Sequence, residues 1–309
     1  MAGHRSYLVW TILPLLSAWA LPARGAPQYV GSTACKTCHP NILADFYKNP
    51  HYKSVASGAE AAENTGCEGC HGPGSEHIAG KGDKSKIRAF SQMGVRQVLD
   101  NCLRCHAESL GRAQVRRSSH SLAQVACTGC HSIHKAKTVK SLLAQEQRNV
   151  CYGCHGNVRA QFSMPFKHRV NEGVIQCSDC HNPHGAAAPN QGMGARPRMV
   201  DSSLGNEEPC MKCHVEKRGP FAFEHAAVRV DGCGSCHVPH GTANPRLLKR
   251  PVVFTLCLEC HNGAGSFGRQ GDGIKLTPPT HNMADARFRN CTTCHARIHG
   301  SNADARFLR

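Results

Sequence analysis

Twenty cysteines fall into ten pairs, each pair spaced Cys-x-x-Cys and each followed directly by histidine. The triplets are Cys35, Cys38 and His39; Cys67, Cys70 and His71; Cys102, Cys105 and His106; Cys127, Cys130 and His131; Cys151, Cys154 and His155. They continue with Cys177, Cys180 and His181; Cys210, Cys213 and His214; Cys233, Cys236 and His237; Cys257, Cys260 and His261; and Cys291, Cys294 and His295. Two thiols at this spacing face one way on a helical turn and can both form thioethers to one porphyrin. The adjoining imidazole then supplies an axial nitrogen to the iron. Each triplet therefore reads as a c-type haem attachment site, and the expected cofactor is ten covalently attached haem c groups. Zinc ribbons would need the pairs to meet in fours. Neither they nor a disulfide framework explains histidine at one fixed offset.

The remaining histidines complete a ligand set. Of 21, ten belong to the triplets and His4 lies near the N-terminus. The other ten are His51, His77, His120, His134, His168, His184, His225, His240, His281 and His299, one for each distal position. An iron with two imidazoles has no open position and suits electron transfer rather than substrate chemistry. The seven methionines make no pattern, and Cys-x-x-Cys-Lys, the mark of a nitrite-reductase catalytic haem, does not occur. No catalytic residue is expected.

The histidines recur in a fixed order, which points to internal repeats. Each of five dihaem units reads as motif, spare His, motif, spare His, over about 31–85, 86–138, 139–190, 191–247 and 248–309. Cys177-Ser-Asp-Cys-His-Asn-Pro-His184-Gly closely matches Cys233-Gly-Ser-Cys-His-Val-Pro-His240-Gly, and Cys127 to His134 is a looser copy. The end units drift, as terminal repeats of a stacked array do. The simplest pairing keeps ligands within a unit: the trailing His serves the first haem and the mid-unit His the second. Connectors rich in Gly, Pro or charge lie at 72–86, 185–209 and 262–279. Helices are expected over 41–48, 91–101 and 139–150, the last two running into Cys102 and Cys151. Ala-Asp-Ala-Arg-Phe occurs twice, at 284–288 and 303–307, and spacing assigns it no role.

The elements that must position these groups are modest. Residues 1–25 read as an export signal, with Arg5, an apolar run from Tyr7 to Trp19, and small residues allowing cleavage after Ala20 or Gly25. Residues 26–309 would form the decahaem domain. Aromatics make up only 6%, while glycine and proline number 30 and 17. Side chains so composed cannot fill the cores normal for this length, so the porphyrins are expected to be the core. The expected fold class is a haem-packed multihaem cytochrome c: short α-helices, extensive coil, little or no sheet, in an elongated array of five dihaem repeats. The formal charge of +16 does not imply nucleic acid. Without residues 1–25 it falls to about +14, and haem propionates and ferric centres bring it to about +4 oxidised or about −6 reduced.

With these motifs, the matched spare histidines and the export segment, the chain resembles the periplasmic decahaem cytochromes of the MtrA, PioA and DmsE type, over essentially all of residues 31–309. The resemblance implies a staggered haem chain inserted into an outer-membrane β-barrel porin, carrying electrons across the bilayer for metal reduction or iron oxidation. It implies further partners: a periplasmic or inner-membrane cytochrome as donor or acceptor, and an extracellular multihaem cytochrome. A freely diffusing periplasmic shuttle, or a donor to an extracellular reductase, is the alternative. A multihaem reductase of nitrogen or sulfur oxyanions would need a haem lacking its distal His.

Overall fold

The ten attachment motifs fold alike at the backbone level. In eight of them the histidine amide donates to the carbonyl of the first cysteine at 2.9–3.0 Å, closing one turn, as at His39 on Cys35 and His237 on Cys233. The other two lie within the helices Gly66–His71 and Val95–Leu110. One closed turn brings both sulfurs and the imidazole to a common side, as the spacing requires. The computed structural model describes residues 25–185, 209–261, 281–282 and 285–309. Residues 1–24, which hold His4 and all but the last residue of the expected export signal, residues 186–208 of one connector and the whole connector 262–279 lie outside the described residues.

Helices are short, and the longest, Val95–Leu110, carries a motif in its middle. The Gly94 amide donates to Gln97 Oε1 at 2.8 Å, satisfying one N-terminal group. Val95, Val98, Leu99 and Leu103 recur at helical spacing, and Val98 and Leu103 are each only 2% exposed. Val115, from the next helix Arg112–Arg117, packs on this face. At His106 the backbone leaves helical values (φ −93°, ψ 15°), and Gly111 at φ 68° ends the element. The predicted 91–101 helix thus starts at Val95 and continues through its motif rather than stopping before it. The helix predicted after Pro40 is present as Pro40–Phe46, with Pro40 in its first turn.

The helix predicted over 139–150 is a correction. Only Gln147–Tyr152 is helical. Residues 137–144 instead fold back on the preceding motif. The Ser132 amide donates to Leu142 O at 2.8 Å and the Ala144 amide to Cys130 O at 3.0 Å. Leu142 sits at φ 54°, left-handed backbone that no helix continues through. Residues 237–249 repeat the fold-back, with Val238 on Leu247 O at 2.7 Å and Lys249 on Cys236 O at 2.9 Å.

Sheet is almost absent among the described residues. Phe166–Lys167 pairs antiparallel with Gly241–Thr242, which brings the chain before His168 beside the chain after His240. The buried apolar side chains of the described residues number nine: Leu43, Phe46, Val98, Leu99, Leu103, Val115, Leu142, Phe162 and Val170. So few cannot make the core of a chain of 309 residues. The architecture read from composition is therefore present: short helices, coil and a vestige of sheet among the described residues. At the start of the described chain Glu68, 3% exposed, accepts from the amides of Val30, Gly31 and Gly74 at 2.7–3.1 Å. Its carboxylate sews residues 30 and 31 onto the second motif.

Candidate functional site

The thiols define the order of the sites. In four of the five units the first cysteines of the two motifs meet. The Cys35 thiol donates to Cys67, which raises the first and holds the second down at about 6. Cys102 with Cys127 and Cys151 with Cys177 repeat this, with Cys127 and Cys177 each lowered to about 7. In the last unit, burial, followed by the neighbouring Cys291, pushes Cys257 up to about 12. Between units the second cysteines approach: Cys70 feels the charge of Cys105, Cys130 that of Cys154, Cys180 that of Cys213, and Cys260 that of Cys236. From the Cys35 motif to the Cys210 motif, and again from Cys233 to Cys291, the motifs are therefore neighbours in sequence order.

The spare histidines face the motif histidines in pairs. Ring centroids lie 5.9 Å apart for His51 and His106 and for His71 and His134. They lie 6.2 Å apart for His120 and His155, and 6.0 Å for His131 with His184 and His181 with His240. His168 with His214, His225 with His261, His237 with His299 and His281 with His295 are each at 6.3 Å. Two imidazoles on opposite sides of one metal, each bonded at about 2 Å, would put their centroids roughly 6 Å apart. Contacting rings would stack closer. Nine pairs therefore fit one iron each. His39 and His77 remain, and both lie near enough to His71 to oppose its charge.

The within-unit pairing is overturned for the interior of the chain. His51, His120, His168 and His225 face the first motif histidine of the following unit. His134, His184, His240 and His299 face the second motif histidine of the preceding unit. Of the nine facing pairs, only His281 with His295 stays within its unit. Neighbouring units are thus interlocked by reciprocal exchange of histidines.

Backbone carbonyls orient the rings. Nδ1 of His71, His131, His237 and His295 donates to the carbonyls of Arg88, Ser141, Arg246 and Arg306 at 2.6–2.9 Å. Among the spare histidines, His77 donates to Asp83 O, His120 to Pro183 O and His168 to Pro239 O, at 2.6–3.0 Å. His240 uses Gln161 Oε1 at 2.8 Å. His51 uses Asn49 Oδ1 at 3.0 Å, while Asn49 Nδ2 donates to Ile133 O. A carbonyl only accepts, so Nδ1 holds the proton and Nε2 keeps its lone pair for a metal. Burial, followed by the facing ring, lowers His51, His134, His184, His225 and His240, keeping them neutral.

The repeated Pro-His-Gly now has a mechanical account. Pro183 and Pro239 present carbonyls to the preceding unit's mid-unit His, and His184 and His240 face that unit's second motif. Gly185 (φ 98°) and Gly241 (φ 159°) run so close to that unit that a Cβ would stand 2.6 Å from Gln114 O and 2.1 Å from Gln161 O. Sequence reading missed Leu142, Leu247 and Phe307, which follow the acceptor carbonyls of Ser141, Arg246 and Arg306. All three hold φ of 54–60°, a strained conformation for bulky residues. The signal was present as Ser-Leu-Leu, Arg-Leu-Leu and Arg-Phe-Leu about ten residues after the second motif.

The residues fit haem rather than a metal cage. Among the described residues no three His, Cys, Asp or Glu side chains converge to hold an ion, as zinc would require. A cavity of about 530 Å³ beside the first motif is lined by Cys38, His39, Pro40, Ile42, His134 and Lys135, within the usual span for a cofactor.

The family model for the doubled CXXCH motif matches residues 120–160 and 225–266, and that for cytochrome c554 and c-prime matches 74–132. The two doubled-motif stretches begin at His120 and His225 and contain the histidines those rings face, His155 and His261. High-molecular-weight cytochrome c of Nitratidesulfovibrio vulgaris (Hildenborough) is 24% identical over 293 residues, 88% of this chain but 44% of that protein. Multiheme cytochrome MtrA of Shewanella baltica (strain OS185) is 33% identical over 300 residues, covering 91% of this chain and 81% of that protein. With identity at that level over most of both chains, the chain belongs to the MtrA family of multihaem cytochromes, and its Cys-x-x-Cys-His motifs mark it as a haem c protein.

Proposed function

We propose that the protein relays electrons along ten bis-histidine c-type haem sites, in sequence order, through five interlocked units spanning residues 31–309. The observation that carries this is the facing of nine histidine pairs at 5.9–6.3 Å; His39 and His77 complete the set by elimination. Held in this way, haem supplies one-electron chemistry with little change of geometry. The chain's own residues do the rest. Cysteines bring most successive sites together, carbonyl oxygens lock the tautomer of nine imidazoles, and the exchanged histidines prevent neighbouring units from drifting apart. With both axial positions held by protein, no substrate reaches iron. The protein is a carrier, not an enzyme.

Family membership supports placing this relay at the outer membrane of an exporting cell, after removal of residues 1–25. Among the described residues no helix is long and apolar enough to cross a membrane. Transfer across the bilayer by this chain therefore requires a casing, and a large β-barrel porin can enclose one. The proposed partners are that porin, a periplasmic or inner-membrane cytochrome, and an extracellular multihaem cytochrome. The test has two parts. Low-temperature EPR of the oxidised protein, calibrated to total haem, should give low-spin signals only, summing to ten per chain; a high-spin signal of one haem per chain would sink the pure relay. Affinity purification from detergent-solubilised outer membranes should retain a β-barrel protein. Recovery of the cytochrome alone, in the soluble fraction, would favour a diffusing shuttle instead.

A further inference from the structure

The duplicated Ala-Asp-Ala-Arg-Phe is unused by the attachment motifs, yet both copies end on a ligand ring. In the first copy, described from Asp285 to Phe288, the Phe288 ring lies flat on His281, with centroids 4.7 Å apart and planes 5° apart. The Arg287 guanidinium covers the Phe288 ring at 4.9 Å, and Asp285 holds that guanidinium at 2.7 Å while accepting from the Arg287 amide. Each polar residue of the motif therefore acts on the phenylalanine. In the second copy Asp304 accepts from the Arg306 amide at 2.7 Å and pairs with its guanidinium at 3.0 Å. Phe307 meets His225 edge-on, at 5.5 Å and 62°. It does so from φ 60°, with its amide on Asp304 O and its carbonyl taking the Arg297 amide, each at 3.0 Å. The same turn aims the Arg306 carbonyl at His295 Nδ1, at 2.6 Å.

We propose that this pentapeptide is a ligand clamp for the last two haem sites, with Phe288 setting the ring plane of His281 and Phe307 that of His225. Phe288 and Phe307 are positioning residues. A ring lying against an imidazole blocks rotation about the iron–nitrogen axis, because turning would drive one ring into the other. Held at φ 60° by hydrogen bonds on both sides, Phe307 is over-determined in the way functional strain usually is. It also ties adjacent sites together, touching His225 of the Cys257 site while its turn orients His295 of the Cys291 site. The proposal rests on bis-histidine ligation, and the geometry makes the two copies separately readable. The His225 and His261 planes lie 13° apart, whereas those of His281 and His295 lie 49° apart.

The experiment is quantitative EPR of the full-length, haem-loaded protein and three variants, with haem counted independently. F307L keeps an apolar residue that tolerates this backbone, as Leu142 and Leu247 do, and removes the aromatic edge. It should shift the g-values of one low-spin signal in the near-parallel class, with ten haems retained. F288L should shift one signal in the wide-angle class, and F307Y should restore the native spectrum. Spectra of F307L and F288L that superimpose on wild type would overturn the clamp. So would loss of haem from both, which would mean plain packing. High-spin iron in the wild type itself would instead overturn the ligation reading on which the clamp depends.

Discussion

His134 faces His71 with 5.9 Å between ring centroids and 18° between planes, although it trails the second motif of one unit and His71 belongs to the unit before. Replacing His134 by alanine should therefore create one high-spin iron among ten, at the Cys67 site and not in its own unit. Epistasis identifies that site. The high-spin EPR signal of H134A should vanish when Cys67 and Cys70 are also changed to alanine, which leaves that haem unattached. It should persist when Cys102 and Cys105 are changed instead.

Ring planes sort the nine facing pairs into two classes. Four are near-parallel, at 13–18°, and five are splayed at 49–85°. Parallel imidazoles split the iron orbitals rhombically, and crossed ones leave them nearly degenerate. The oxidised protein should show both ordinary rhombic low-spin signals and strongly anisotropic ones, in similar amounts. A single class would contradict the ring geometry.

Gln161 accepts from His240 Nδ1 at 2.8 Å, a side-chain amide where seven other rings use a backbone carbonyl. In Q161E a carboxylate would take that hydrogen bond and make the imidazole a stronger donor, favouring ferric iron. Potentiometric titration should show one haem, the one at Cys177, falling by roughly tens of millivolts. In Q161L the same haem should rise, because the hydrogen bond is lost.

Glu68 offers its carboxylate to three backbone amides while almost fully buried. E68A would strand those donors, at a cost of about 1–3 kcal/mol each. Limited proteolysis should then release residues near Val30 and Gly31 first, with the spectra of the distant Cys257 and Cys291 haems unchanged. E68Q, which keeps one acceptor oxygen, should lie between.

With nine buried apolar side chains among the described residues, the polypeptide has little of its own to fold around. A variant with all attachment cysteines changed to serine, so that no haem is joined, should show a far-UV circular dichroism spectrum of a mainly unfolded chain. Retention of native-like helix content would mean that protein packing had been underestimated.

The legible part of this molecule was its chemistry. Residue type and spacing pick out the Cys-x-x-Cys-His motifs and an equal number of spare histidines, because two thiols and the adjoining imidazole are brought together within a single turn. The helix after Pro40 was also readable, since its start is a local matter of proline at the first turn. Partner choice was not readable. His134 lies three residues beyond His131, and nothing in that interval says which neighbour it serves. The choice is made by approach between units: Pro183 and Pro239 carbonyls reaching His120 and His168, and Gly185 and Gly241 running against Gln114 and Gln161. The failed 139–150 helix has the same origin. Apolar periodicity favoured it, but the fold-back onto the Cys127 motif holds Leu142 at φ 54° through hydrogen bonds with residues about ten to fourteen positions earlier, beyond the reach of helical spacing.

By itself, then, the sequence determined that this is a haem-bearing chain and that it carries one spare histidine for each Cys-x-x-Cys-His motif, because covalent attachment and ligand supply depend on residue identity at short range. Tertiary structure alone decided which imidazole crosses to which site, how its plane is turned and which carbonyl holds it. Those depend on the packing of one unit against the next, and that packing is written in contacts scores of residues apart.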